Sequence, residues 1–241
     1  MEPMAESWAL YIDEEGFAQH WDHIMAAFSG LNAMMEAICR IGIHVFPDPG
    51  DRLFCYQFGD GFLVTSDFHE KDLSRAALIS IAILRHVLAA SRVARASLVE
   101  GEMSDIAGCY PKEVRKHNDR TTVAVGAGLL LTSPVLGEGL LRSVSLGKKE
   151  PRGPLFLINA KLASRLNKTI SSEDIGNGVA IVDWLNGEPE GLADIPHEAK
   201  LNIHSSEQRV EMMRNYLADN RSMSPEWRSS VYEYLLEKAA T

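Results

Sequence analysis

The sequence is poor in cysteine: among 241 residues, Cys39, Cys55 and Cys109 are odd in number, far apart and form no Cys-x-x-Cys pair. Neither a disulfide framework nor a zinc ribbon follows, and the reduced thiols of a cytoplasmic protein fit best. No apolar run approaches about 18 residues, and the opening Met1-Glu2-Pro3-Met4-Ala5-Glu6 is acidic where a signal peptide is basic. The expectation is a chain that is neither exported nor membrane-spanning. Positive charge is also in the minority, with 24 Lys and Arg against 33 Asp and Glu and a formal net charge of -9. Such a field repels polyanions and argues against a nucleic-acid partner. A small anionic ligand then needs local cations or a divalent metal. Internal repeats, long linkers and a nucleophile elbow are lacking too. Gly126-Ala127-Gly128 has no strand-turn-helix context for a dinucleotide loop, and no Gly-Lys-Ser or Gly-Lys-Thr occurs.

What the chain does have is apolar material, 46% of its residues, enough for a sizeable core. Trp8 to Asp13 reads as a strand that stops at the acidic turn Asp13-Glu14-Glu15-Gly16-Phe17. Apolar residues at spacings of three and four from Trp21 to Ile38 predict a helix over about 19–43, broken once at Ser29-Gly30. Two aromatic runs, Leu53 to Phe58 and Phe62 to Thr65, flank Gly59-Asp60-Gly61 and predict a hairpin. A helix over about 74–90 follows, its apolar face marked by Leu78, Ile81, Ala82, Leu84, Arg85 and Leu88. Arg95 to Glu102 and Thr121 to Leu131 read as strands, 103–120 as loop with one helical turn, 137–146 as helix and 155–158 as strand.

This order suits an α+β, ferredoxin-like mixed sheet with helices on one face. Beyond Lys161 the pattern weakens to a late strand over 179–185 and two helices, over 206–217 and 225–238. Residues 1–160 are read as the main domain and 161–241 as a helical C-terminal extension packed on it.

Two carboxylates stand at special backbone positions: Asp13 at a strand end and Asp60 in the hairpin turn. Such positions hold oxygen ligands rigidly, as Mg²⁺ or Mn²⁺ against a polyphosphate requires. The plainer alternative is that Asp60 serves the turn and Asp13 caps the following helix. Glu14 and Glu15 concentrate negative charge beside Asp13 and favour a cation there. His20 and His23 share a helix face without a third ligand nearby, and Asp183, Trp184 and Trp227 read as packing residues.

Tyr11-Ile12-Asp13-Glu14-Glu15-Gly16-Phe17 followed by Phe58-Gly59-Asp60-Gly61-Phe62-Leu63-Val64 resembles the two metal motifs of the class III nucleotidyl cyclases. The strand ending in Gly101-Glu102, the helix over 137–146 and Pro151 to Ile158 extend the likeness to about residues 7–160. The resemblance implies two Mn²⁺ or Mg²⁺ ions held by Asp13, Asp60 and the Glu14 carbonyl. It also implies a nucleoside triphosphate substrate contacted by Gly16 and Phe17, and a homodimer with sites at its interface. In register with the family, Tyr56 replaces the base-reading Lys of purine cyclases and Pro134 falls at their second base-reading position. Leu141 and Ser145 stand where the catalytic helix carries Asn and Arg, and Arg142, one helical turn before Ser145, is the candidate for the transition-state charge. Lys148, Lys149 and Arg152 are further basic candidates, or simply match the helix dipole.

A bulky Tyr56 reduces pocket volume and favours a one-ring pyrimidine. That combination is similar to the pyrimidine cyclases of bacterial Pycsar anti-phage systems. The function so implied is conversion of UTP to cyclic UMP, a second messenger read by a separate effector. The alternatives are CTP as substrate or a degenerate cyclase-like module that binds nucleotide without catalysis.

Overall fold

A computed structural model describes residues 6–17, 24–66, 68–116, 118–119 and 121–240. His20 and His23 lie outside the described residues.

The first half alternates as expected: β1 (Ser7–Glu14), α1 (Ile24–His44), β2 (Phe54–Phe58), β3 (Gly61–Thr65), α2 (Ser74–Ala89) and β4 (Ala94–Gly101). Next come β5 (Met103–Asp105), α3 (Lys112–Lys116), β6 (Asn118–Asp119), β7 (Thr122–Val125), β8 (Gly128–Leu131) and β9 (Val135–Gly137). The chain continues with α4 (Glu138–Gly147), β10 (Phe156–Asn159), α5 (Ala160–Ala163), β11 (Ser172–Gly176) and β12 (Val179–Val182). It closes with α6 (Asp194–Ala199), α7 (Ser206–Asp219) and α8 (Pro225–Val231), which continues as a π-helical turn over Tyr232–Leu236 and a 3-10 turn over Glu237–Ala240, so that the helix expected over 225–238 is helical throughout.

Among the described residues, seven strands form one mixed sheet in the order β11-β12-β10-β4-β1-β3-β2. The β-α-β-β-α-β succession, with strand order β4-β1-β3-β2, is the ferredoxin-like arrangement within this α+β fold. β10 joins β4 in parallel, and every other pairing in the sheet is antiparallel. Strand alternation splits β1 between two faces. Leu10, Ile12 and Glu14 face the side of α1 and α2, whereas Tyr11 and Asp13 face α4, whose Gly147 packs beside Ser97 and Tyr11.

Four expectations are corrected. First, α1 runs unbroken through Ser29-Gly30. Gly30 answers a close approach, since a Cβ there would lie 2.4 Å from the Glu14 carboxyl carbon. Second, residues 121–131 are not a strand of the main sheet. They fold back at Gly126, φ +60°, into the β7–β8 hairpin of a separate small sheet.

Third, the C-terminal extension, read as helices with one late strand over 179–185, carries that strand as β12 and a further strand, β11, and is not a helical appendage. β11 and β12 complete the main sheet beyond residue 160, and residues from both halves share one hydrophobic core. Fourth, the predicted apolar face of α2 is only part of what it buries. The helix is buried from Ala76 to Leu88, packed against α1, α6 and α7 and against β1 and β4 of the sheet. Arg85 is tolerated there because Nε donates to the Trp184 carbonyl at 2.7 Å and Nη2 to that of Gly187 at 2.7 Å, while Nη1 meets Glu188 at 3.1 Å. Burial, reinforced by Arg209, pushes Arg85 down to about 10.

Candidate functional site

The two aspartates meet at one end of the sheet. Asp13 pairs across β1 and β3 with Gly61, the residue after Asp60. Gly59, at φ +65°, takes the first position of the two-residue turn, where a tight hairpin needs a left-handed residue. Gly61 has no room for a side chain: a Cβ would lie 2.4 Å from the Tyr11 hydroxyl and 2.8 Å from Asp13 Oδ1. Register and glycine together bring the turn carboxylate to the strand-end carboxylate.

The electrostatics follow from this packing. Burial, then Asp60, then Glu15 push the Asp13 carboxyl up to about 6, against a weaker pull from the Tyr11 hydrogen bond and Lys148. The Tyr11 hydroxyl donates to Asp13 Oδ1 at 3.4 Å. Its own proton is held well above the usual phenol range by burial and by Asp13 and Asp60. The Asp13 carboxyl borders a cavity of about 140 Å³ shared with Tyr11, Arg95, Ser97, Val144, Gly147 and Lys148.

Glu14 does something different from its neighbour. Its side chain is buried toward α1, where Arg92 Nε and Nη2 each reach Oε1 at 2.8 Å. Burial raises it to about 7 in spite of Arg92. Only its backbone carbonyl remains for the role expected at the strand end. Gly16 turns the chain with φ +78°, and Phe17 follows it directly.

The remaining predicted residues divide into two groups. Tyr56 pairs with Leu63, which also pairs with Tyr11, so the three share the α4-facing side of the sheet. Burial, then Asp105, raises the Tyr56 hydroxyl. Asp105 pairs with Val135, next to Pro134, whose carbonyl accepts from the Ile106 N–H at 2.7 Å. Tyr56 thus stands in the field of Asp105, whose strand partner Val135 follows Pro134. Arg142 and Ser145 belong elsewhere, on the rim of a separate cleft with Glu100. Arg142 donates to the Glu100 carbonyl at 3.1 Å and pairs with Glu138 at 2.5 Å. Glu100 and Arg95, which pairs with Asp13, stand five residues apart on β4, about 17 Å at about 3.3 Å per residue. Within one chain, Arg142 does not meet the aspartates.

Two supports escaped the sequence reading. Trp227 does pack, but its Nε1 also donates to Glu15 Oε2 at 2.7 Å, tying α8 to the acidic turn. Arg95 donates to the carbonyls of Gly147, Lys149, Pro151 and Gly153 at 2.6 to 2.9 Å and so fixes the segment after α4. Neither has a local sequence signal, because both bridge residues distant in the chain.

Among the described residues, no three His, Cys, Asp or Glu side chains group as a metal cage. Two carboxylates with a backbone carbonyl nonetheless suit Mg²⁺ or Mn²⁺, which complete their coordination with waters and substrate phosphates rather than an all-protein cage. No family model and no curated protein matches the sequence. Among the described residues, no helix is long and apolar enough to cross a membrane.

Proposed function

We propose that the protein is a metal-dependent pyrimidine nucleotide cyclase of the class III type, converting UTP to 3′,5′-cyclic UMP and pyrophosphate. The observation that carries this reading is the juxtaposition of Asp13 and Asp60, in which each carboxylate stands in the field of the other. Two adjacent carboxylates are costly unless a cation or proton compensates them. In this reading Asp13, Asp60 and the Glu14 carbonyl hold two Mn²⁺ or Mg²⁺ ions. Bound there, the ions would favour ionisation of the ribose 3′ hydroxyl and neutralise the departing pyrophosphate.

The chain's own residues account for the rest. The 3′ oxygen forms a bond to the α-phosphorus as the bond to the β-phosphate oxygen breaks, and the hydroxyl proton passes to solvent. Tyr56 narrows the base pocket, Pro134 borders it, and Gly16 and Phe17 turn the backbone beside the phosphates. In this reading Arg142 and Ser145 act from a second protomer, in keeping with their place on a different cleft from Asp13 within one chain. Exposed apolar side chains on β8 and α4, with Leu129 71%, Leu131 75% and Leu141 61% exposed, offer surface for that second copy. The product would serve as a second messenger in bacterial anti-phage defence, sensed by a separate effector.

A second reading, a nucleotide-binding module without catalysis, is favoured by one observation: Arg142 is already paired with Glu138. Incubation with each of the four ribonucleoside triphosphates and Mn²⁺, with cyclic products read by mass, separates the two. Cyclic UMP supports the proposal, and cyclic CMP keeps the mechanism but changes the base. A cyclic purine overturns the role of Tyr56, and absence of any product favours the binding module.

A further inference from the structure

A cavity of about 300 Å³ lies between α2 and the segment from Glu188 to Arg209, and it shares no residue with the cavity beside Asp13. Its lining is apolar at Leu192, Pro196, Leu201 and Ile203, with the His197 and His204 imidazoles beside them. Two guanidinium groups also border it, those of Arg85 on α2 and Arg209 on α7, whose side chains are 0% and 1% exposed. Two buried cations beside apolar walls are costly unless an anion meets them.

Backbone oxygens fix both groups. Arg85 Nε donates to the Trp184 carbonyl and Nη2 to those of Asn186 and Gly187, while Arg209 Nε and Nη1 donate to those of Leu185 and His204. Arg85 Nη1 and Arg209 Nη2 then converge on the two oxygens of a single carboxylate, Glu188, at 3.1 and 2.7 Å. Arg209 Nη2 also has the Asn186 and Gly187 carbonyls at 3.3 and 3.4 Å. Such a pair of charge-assisted donors suits any carboxylate.

The resident carboxylate is the exchangeable member of this arrangement. Glu188 is 62% exposed, and it is the one carboxylate among the residues that line the cavity. Asp183 and Glu207 stand in the field of the arginines without bordering the cavity, and accept instead from Asn186 Nδ2 at 3.0 Å and Ser205 Oγ at 2.8 Å. The guanidinium groups keep their carbonyl partners whether or not Glu188 is in place, so the receiving geometry is formed in advance. Glu188, already largely hydrated, loses little by turning out into water. A carboxylate carried on a compact apolar body would keep both guanidinium contacts. It would also bury that body against Leu192, Leu201 and Ile203.

We propose that this cavity binds a small monocarboxylate with a compact apolar body, which takes the place of Glu188 between Arg85 and Arg209. The site is independent of the cyclase reading.

The test is calorimetric titration of the full chain with benzoate, and with benzamide as its uncharged counterpart, at constant ionic strength. Wild type should bind benzoate at least about tenfold more tightly than benzamide, the margin of a charge-assisted contact. Glu188→Gln, a change at an exposed side chain, removes the competing charge and should tighten benzoate binding about tenfold. Arg209→Lys, which keeps the charge but loses the planar fork, should weaken it about tenfold. Thermal melts without ligand check the folding of each variant, and benzoate should raise the melting temperature of Glu188→Gln more than that of wild type. Absence of benzoate binding by wild type, equal binding of benzamide, or a folded Glu188→Gln protein that binds benzoate no more tightly than wild type overturns the assignment.

Discussion

Replacing Asp13 with Asn should stabilise the metal-free protein, although the same change removes a proposed metal ligand. The Asp13 carboxyl is raised from 3.8 to about 6 by burial, Asp60 and Glu15. The folded chain therefore holds the proton more tightly than the unfolded one. Stability falls as pH rises from about 4 to about 6, and above that the full cost of the buried charge is present. At about 1.4 kcal/mol for each tenfold change in proton affinity, the rise from 3.8 to about 6 sets a ceiling near 3 kcal/mol. Partial exposure of the group reduces this to about 1–2 kcal/mol. Asn keeps an oxygen to accept the Tyr11 hydroxyl and carries no charge. For a chain of this size, D13N should melt about 2–8 °C above wild type at pH 8 in EDTA. The advantage should vanish near pH 4, where the wild-type carboxyl is neutral in the folded protein. Calorimetric melts of both proteins at the two pH values decide it, and a D13N protein less stable than wild type at pH 8 would refute the account of this site.

Other consequences can be measured separately. Gly30→Ala drives a methyl group into the buried Glu14–Arg92 pair and should cost about 3–5 kcal/mol if the pair breaks, read as a lowered midpoint in urea. Arg95→Ala strands four carbonyls and should accelerate hydrogen exchange at 147–153 while leaving α2 protected; unchanged exchange there would contradict its role. Mn²⁺ should raise the melting temperature of wild type, by about 2.7 kcal/mol of stability at a hundredfold excess over Kd, and leave D60N unmoved. Tyr56→Ala enlarges the base pocket and should relax the preference for pyrimidine triphosphates, measured by competition between UTP and ATP.

Much of the fold is visible in sequence where periodicity and turn chemistry agree. The β2–β3 hairpin follows from aromatic runs around Gly59-Asp60-Gly61, and α2 from its spacing. The aspartates were legible because a strand end and a hairpin turn are local features. What failed is nonlocal. Ser29-Gly30 resembles a helix break, but Gly30 serves Glu14 on a neighbouring strand. The run 121–131 has the composition of a core strand, yet the turn at Gly126 makes it a hairpin with Leu129 and Leu131 exposed. Arg85 could be placed on the apolar face of α2 from spacing, but the carbonyls of residues 184–187 that receive its guanidinium lie about a hundred positions away and have no local signal. Arg142 could be placed on α4 from sequence, but its distance from Asp13 depends on strand register and helix packing together.

The central claim is that Asp13 and Asp60 form a catalytic metal pair. It is tested most directly by the cyclic UMP formed from UTP and Mn²⁺ by wild type, D13N and D60N at equal concentration, each confirmed folded. The account predicts product from wild type and a loss of at least about 100-fold in both variants. Full activity in either variant would contradict it.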